Sequence, residues 1–190
     1  QYHSTTGQLI NAQLETWQHG HVCTWVDPWI QAVFLQDASI RQGMVKYRGV
    51  VEYQIENTSL KTLRVALPDA AQGVAFTGNQ VSDFVKGDTV ENGRAVWDVK
   101  LDRRMIGKYQ LTVSYQVPLA EDAAGSPVEV QSLQAVDVNL QRGFISVRTE
   151  GRILLQPGLV PDGLYSVEWS QVPRSLKGAL NLVETQLVYR

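Results

Sequence analysis

An all-β fold, an antiparallel two-layer β-sandwich, is predicted by long runs of alternating apolar and polar residues, by turn residues between those runs, and by near absence of helical periodicity. In "VKYRGVVEYQIEN", Val45, Tyr47, Val51, Tyr53 and Ile55 share one face, and Lys46, Arg48, Glu52, Gln54 and Glu56 the other. "RAVWDVKL" sets Ala95, Trp97, Val99 and Leu101 against Arg94, Asp98 and Lys100. "KYQLTVSYQV" sets Tyr109, Leu111, Val113, Tyr115 and Val117 against Lys108, Gln110, Thr112, Ser114 and Gln116. Side chains alternate across a strand, so each run predicts one face on a core and one in water. The predicted core is Tyr53, Ile55, Leu63, Val65, Leu67, Trp97, Val99, Leu111, Val113 and Tyr115.

Turn chemistry separates the runs at Asn57-Thr58-Ser59, Gly87-Asp88, Glu91-Asn92-Gly93 and at Gly163 after Pro161-Asp162. Asn92-Gly93 suits a primed hairpin turn, whose central residues both need positive φ. At most one short helix is expected, near 172–180, where "VPRSLKGAL" has Pro173 close to its start. "LAEDAAGSP", residues 119–127, is the best linker. The segment after it still reads as strands but has few residues for a core of its own. One unit over 1–190 is therefore expected, with 119–127 as the alternative boundary. The chain begins at Gln1 and stops on the strand-like "LVETQLVYR", and both ends read as cuts through a longer protein.

Composition narrows the function classes. With 190 residues, 44% hydrophobic and 19% charged, the chain has material for a folded core. Seventeen basic and 19 acidic residues give a net charge of −2. The densest basic spot is Arg103-Arg104 with Lys108, so no nucleic-acid footprint is expected. Apolar stretches fall short of the roughly 18 residues needed to span a bilayer. Cys23 is the only cysteine, which excludes an intrachain disulfide.

From Met44 onward the order of pieces carries a resemblance. "YRGVVEYQIENTS" runs into "LKTLRVALP", then a connector over Val74–Val81, then "GRAVWDVKL" and "GKYQLTVSYQVPL"; "QAVDVNLQRGFISVRT" leads to a closing "VPRSL…LVYR". Over roughly residues 40 to 190 this resembles the β-sandwich ectodomain segments of large, uncharacterised membrane-anchored proteins of bacteria. The shared motifs are structural, such as a strand ending in Leu-Pro where proline cannot continue the ladder. The resemblance implies a β-sandwich and an extracytoplasmic location, periplasmic or cell-surface, and carries over no site residue.

Two clusters near the N-terminus hold the candidate binding residues. In "HGHVCTW", an unbroken strand would set Trp17, His19, His21, Cys23 and Trp25 on one face, with alternate residues ~6.5–7 Å apart. Zinc takes imidazole and thiolate but needs three or four ligands. A turn at Gly20 removes His19 from the set, and His3 is the only other histidine. A cysteine without ligand partners is usually a small buried hydrophobe. No tightly bound metal and no cofactor are expected; His19, His21 and Cys23 remain the candidate ligands of a metal-binding alternative. Trp17, Trp25 and Trp29 are the candidate platform for sugar rings, against the simpler reading that they fill the ends of the core.

Catalysis is not expected. The chain has no G-x-S-x-G, H-E-x-x-H, phosphate loop or dinucleotide fingerprint. The carboxylate pairs Glu121-Asp122 and Asp98 with Asp102 fall at loop-like or solvent-facing positions, and Asn57-Thr58-Ser59 matches a glycosylation sequon but is more simply a turn. The function expected is a non-catalytic structural or interaction module of a larger extracytoplasmic protein. Its expected partners are neighbouring domains of the same chain, another protein or a glycan, with no nucleic acid and no membrane insertion by this segment.

Overall fold

The computed structural model describes residues 26–119, 127–151, 153–156, 158, 160, 163–182 and 187–190. Among the described residues eight strands follow in order: β1 (Trp29–Arg41), β2 (Met44–Pro68), β3 (Gln72–Gly78), β4 (Val81–Glu91), β5 (Arg94–Pro118), β6 (Gln134–Val136), β7 (Leu140–Thr149) and β8 (Leu187–Tyr189). One helix, α1 (Arg174–Leu180), lies where the sequence places it, after a short 3-10 turn at Trp169–Gln171. The fold is all-β.

Hydrogen bonding differs from the expected antiparallel pair of sheets. The strands form one mixed sheet in the order β3-β5-β2-β1-β7-β8, with β4 also on β5 and β6 also on β2. β1 and β7 are parallel, from Gln31 opposite Leu140 to Ile40 opposite Thr149. The strands β6, β7 and β8, all beyond the alternative boundary at 119–127, extend this same sheet.

The two 25-residue strands, β2 and β5, bend together. Between Ile55 and Leu60 the register shifts, so Glu56–Ser59 stand against Ile106 on the partner strand. Asn57 (φ 60°) and Gly107 (φ 76°) supply the left-handed backbone that such a corner needs. Asn57-Thr58-Ser59 is thus a bend within one strand, where the sequence predicts a reversal. Gly87-Asp88 is likewise a bulge inside β4, between Lys86 and Val90. Asn92-Gly93 is the expected hairpin turn, with φ of 52° and 72°.

Aromatic contacts show how far the sheet folds over. Phe76 pairs in register with Val113, yet its ring lies 6.0 Å from that of Trp97 and 5.4 Å from that of Phe84. A straight strand from Trp97 to Val113 would hold them about 50 Å apart. The halves of the sheet therefore face each other and enclose the main core. Tyr53, Ile55, Leu63, Val65, Leu67, Val99, Leu111, Val113 and Tyr115 are buried in it as expected, while Trp97 packs at its margin. Tyr47 and Tyr115 stack there at 4.7 Å. Burial pushes the Tyr47 phenol up to about 12 and raises those of Tyr53 and Tyr115 further, so all three stay protonated.

The other face of the sheet is only partly in water, which corrects the simple alternation. Leu35, Val50, Phe144 and Val188 form a second core with Val172, Leu176 and Leu180. Leu176 and Leu180 are one turn apart on α1, so both reach the sheet. Arg48 Nη2 donates to the Leu180 carbonyl at 3.2 Å, placing a cation at the helix C-terminus. Lys177 lies 5.2 Å from the Trp169 ring centre and donates to that residue's carbonyl at 3.1 Å. Among the described residues no helix is long and apolar enough to cross a membrane.

Candidate functional site

β1 is buried on both faces, which explains its near-continuous apolar run "AVFLQDASI". Three polar side chains in that run, Gln36, Asp37 and Ser39, are buried. Gln36 faces the main core, where its Nε2 donates to the Gln131 carbonyl (2.8 Å) and its Oε1 accepts the Leu133 N–H (2.6 Å). It thereby fixes the segment leading into β6. Asp37 faces the opposite way and is 1% exposed.

A carboxylate so withdrawn from water requires full hydrogen bonding and a counter-charge. The parallel strand β7 provides both. Ser146, in register with Asp37, donates through Oγ to Asp37 Oδ1 at 2.8 Å. Arg148 Nε donates to Oδ2 at 3.0 Å. One step along the strands, Ser39 Oγ donates to Glu150 Oε1 at 2.6 Å. Glu150 also pairs with Arg41, and Arg148 Nη2 lies 3.9 Å from its Oε1. The Ser39 bond, with Arg41 and Arg148 beside it, holds the Glu150 carboxyl below the usual glutamate range and outweighs the opposing effect of desolvation.

The chemistry open to this group follows from what each atom already does. Both serine hydroxyls donate to carboxylates, and both arginines are engaged by those same carboxylates. The arrangement is a polar clasp across the parallel strand pair, with matched charges. Its pH dependence has a definite sign. A lowered carboxyl in the folded state stabilises fully above the unfolded glutamate value, about 4.3, and that stability is lost as pH falls through the lowered value. Glu150→Gln should therefore reduce the thermal midpoint at pH 7, and its difference from wild type should shrink on acidification below about pH 4. A difference that stays constant from pH 7 to 3 would show that Glu150 charge does not matter.

The residues singled out by sequence fall elsewhere. Trp17, His19, His21, Cys23 and Trp25 lie outside the described residues, as do Glu121, Asp122 and His3. Trp29 opens β1, in register with Glu56, and is 40% exposed. Asp98 is engaged by Arg64 at 3.3 Å, and Arg64 also binds Asp137 at 2.8 Å. Among the described residues no group of three His, Cys, Asp or Glu is placed to hold a metal. The clasp was not among the sequence candidates. Its signal was an aspartate and a serine inside an apolar run, which must find partners if the run is buried on both sides.

No protein-family model matches the chain. No curated protein matches it either. Among solved structures, the chain is similar to an M1 zinc metallopeptidase of Deinococcus radiodurans at 12% identity and a TM-score of 0.39, over 64% of this chain and 32% of the peptidase. It is also similar to a non-cellulosomal cohesin of the archaeon Archaeoglobus fulgidus at 12% identity and a TM-score of 0.35, over 65% of this chain and 92% of the cohesin. The chain thus spans about a third of the metallopeptidase's length. No functional residue is carried from either protein to this one.

Proposed function

We propose that the chain is a non-catalytic structural or interaction module, a β-sandwich made by folding one sheet, within a larger extracytoplasmic protein of the membrane-anchored bacterial kind that its strand order resembles. Its partners on this reading are neighbouring domains of the same chain or another protein. The observation that carries it is the Asp37 clasp. The most deeply withdrawn carboxylate among the described residues is spent on joining β1 to β7, together with both serine hydroxyls beside it. Such chemistry serves a rigid scaffold. The test is to locate the tagged full-length protein in its host. Recovery with the membrane or extracytoplasmic fraction, and digestion by protease added to intact cells, is the expected result. A protein confined to the cytosol would overturn the reading.

A second reading, a carbohydrate-binding module, is favoured by one observation, the exposure of Trp29 at the start of β1. An aromatic face open to water beside polar strand residues suits stacking on a sugar ring. Retardation on polysaccharide affinity gels that disappears with Trp29→Ala would promote it. The metal alternative at His19, His21 and Cys23 is checked in the same preparation by elemental analysis. Near-stoichiometric zinc, lost on His21→Ala or Cys23→Ser, would favour it over the scaffold.

A further inference from the structure

Beyond the corner of the folded sheet, two irregularities converge on one place. In the β2–β5 ladder the register shifts between Leu60, opposite Met105, and Thr62, opposite Lys100, so the four residues 101–104 of β5 bulge out against Lys61 alone. In β4 the register against β5 shifts between Val81 and Asp83, so Ser82 is an extra residue on the other side. Bulges re-aim side chains, and they concentrate at strand edges and next to sites. Here Ser82, the bulged Leu101 and Asp102, and Lys61 opposite that bulge line one cleft, of about 300 Å³, together with Thr62 and Lys100.

The lining is polar and its positive charge is under-used. Lys61 makes no ion pair among the described residues. Lys100 reaches only one carboxylate there, Asp83, at 3.7 Å. Arg103 and Arg104 follow Asp102 on β5, and Arg104 is anchored beside the cleft by donating to the Ser59 carbonyl at 2.8 Å. The Thr62 hydroxyl adds a neutral donor, whereas the single Ser82 hydroxyl proton goes to the Lys100 carbonyl at 3.1 Å. Asp102 is the one lining carboxylate, and it opposes any anion that enters.

We propose that this cleft binds a single oxyanion group (phosphate, sulfate or carboxylate), with Lys61 and Lys100 supplying the charge and the Thr62 hydroxyl the directed hydrogen bond. Ammonium groups act on such a ligand as point charges, and hydroxyls fix its orientation. Asp102 sets a ceiling on affinity through like-charge repulsion. The site stands independently of the scaffold reading and of the Asp37 clasp, which lies in the other half of the sheet.

The test is a titration of the isotopically labelled protein with inorganic phosphate, then sulfate, then acetate, at constant ionic strength held with chloride. Saturable amide shifts confined to residues around 61–62, 82–83 and 100–104 are expected; shifts spread over the surface, or tracking chloride equally, overturn the proposal. Lys61→Gln and Lys100→Gln should each weaken binding roughly two- to fivefold, the effect of losing a partly exposed ion pair. Asp102→Asn should strengthen it by a similar factor, a gain that loss of fold cannot mimic. Lys108→Gln, outside the cleft, should leave it unchanged. Unaltered binding in both cleft lysine variants overturns the assignment. Comparing the three anions identifies the group: preference for phosphate or sulfate over acetate points to a doubly charged ligand, and the reverse to a carboxylate.

Discussion

Leu111→Ala should lower the unfolding free energy by about 3 kcal/mol, near the middle of the range for leucine truncation in a core that cannot collapse. Leu111 is fully buried, lies in the second half of β5, and is in register with Val51 on one side and Gly78 on the other. Its side chain points into the space between the halves of the folded sheet, where strands on both sides hold the backbone in place. The neighbouring Thr112→Ala, on the opposite face, should change stability by less than about 0.5 kcal/mol. Denaturant unfolding of the two variants checks the assignment of faces directly. Equal losses, or a Leu111 loss near zero, would mean that the main core is not where the folded sheet puts it.

Arg148→Met should cost about 2 kcal/mol at neutral pH, because it leaves the Asp37 carboxylate buried with only the Ser146 hydroxyl as partner. Breaking a fully buried pair costs roughly 3–5 kcal/mol, and the expectation is set lower because the Arg148 side chain keeps 37% of its surface in water. The decisive comparison is the double variant Asp37→Asn/Arg148→Met. It removes the stranded charge and keeps a group able to accept from Ser146, so it should recover much of the loss. If the double variant is no more stable than Arg148→Met alone, the cost comes from lost packing of the arginine stem, and the clasp is not an electrostatic one.

The faces of the cleanest strands were legible because alternation is a local property. Val45 to Ile55, Ala95 to Leu101 and Tyr109 to Val117 each turn inward the residues their spacing selects, Trp97 and Val117 being only partly buried, since a strand has no other way to present two kinds of surface. Asn92-Gly93 was legible for the same reason, as few other pairs accept two positive φ angles in succession. Val50 was not. It sits on the polar face of its run and is buried only because α1 lies across it, more than a hundred residues later in the chain. Leu35 shares its fate.

The candidate sites divide along the same line. Composition and motif reading dwelt on His19, His21, Cys23 and the tryptophans, because those residue types carry chemistry wherever they stand. Asp37, Ser39, Ser146, Arg148 and Glu150 are ordinary residues, and their meaning comes from the parallel pairing of β1 with β7, which brings together positions 109 and 111 residues apart. The bulges at 101–104 and at Ser82 are equally silent in sequence, since an extra residue in a ladder is defined only against its partner strand.

By itself the sequence determined the all-β class, the inward faces of the long strands, one tight hairpin and the short helix α1, all of which depend on residues within a few positions of one another. The tertiary structure alone decided that Asn57 bends a continuous strand rather than reversing it, that all the described strands join one mixed sheet, and that β7 runs parallel to β1. Those choices turn on whether a distant strand bends at the matching point, as β5 does at Gly107. No local pattern encodes such a match, because the free energy that selects it comes from burying both halves of the sheet at once.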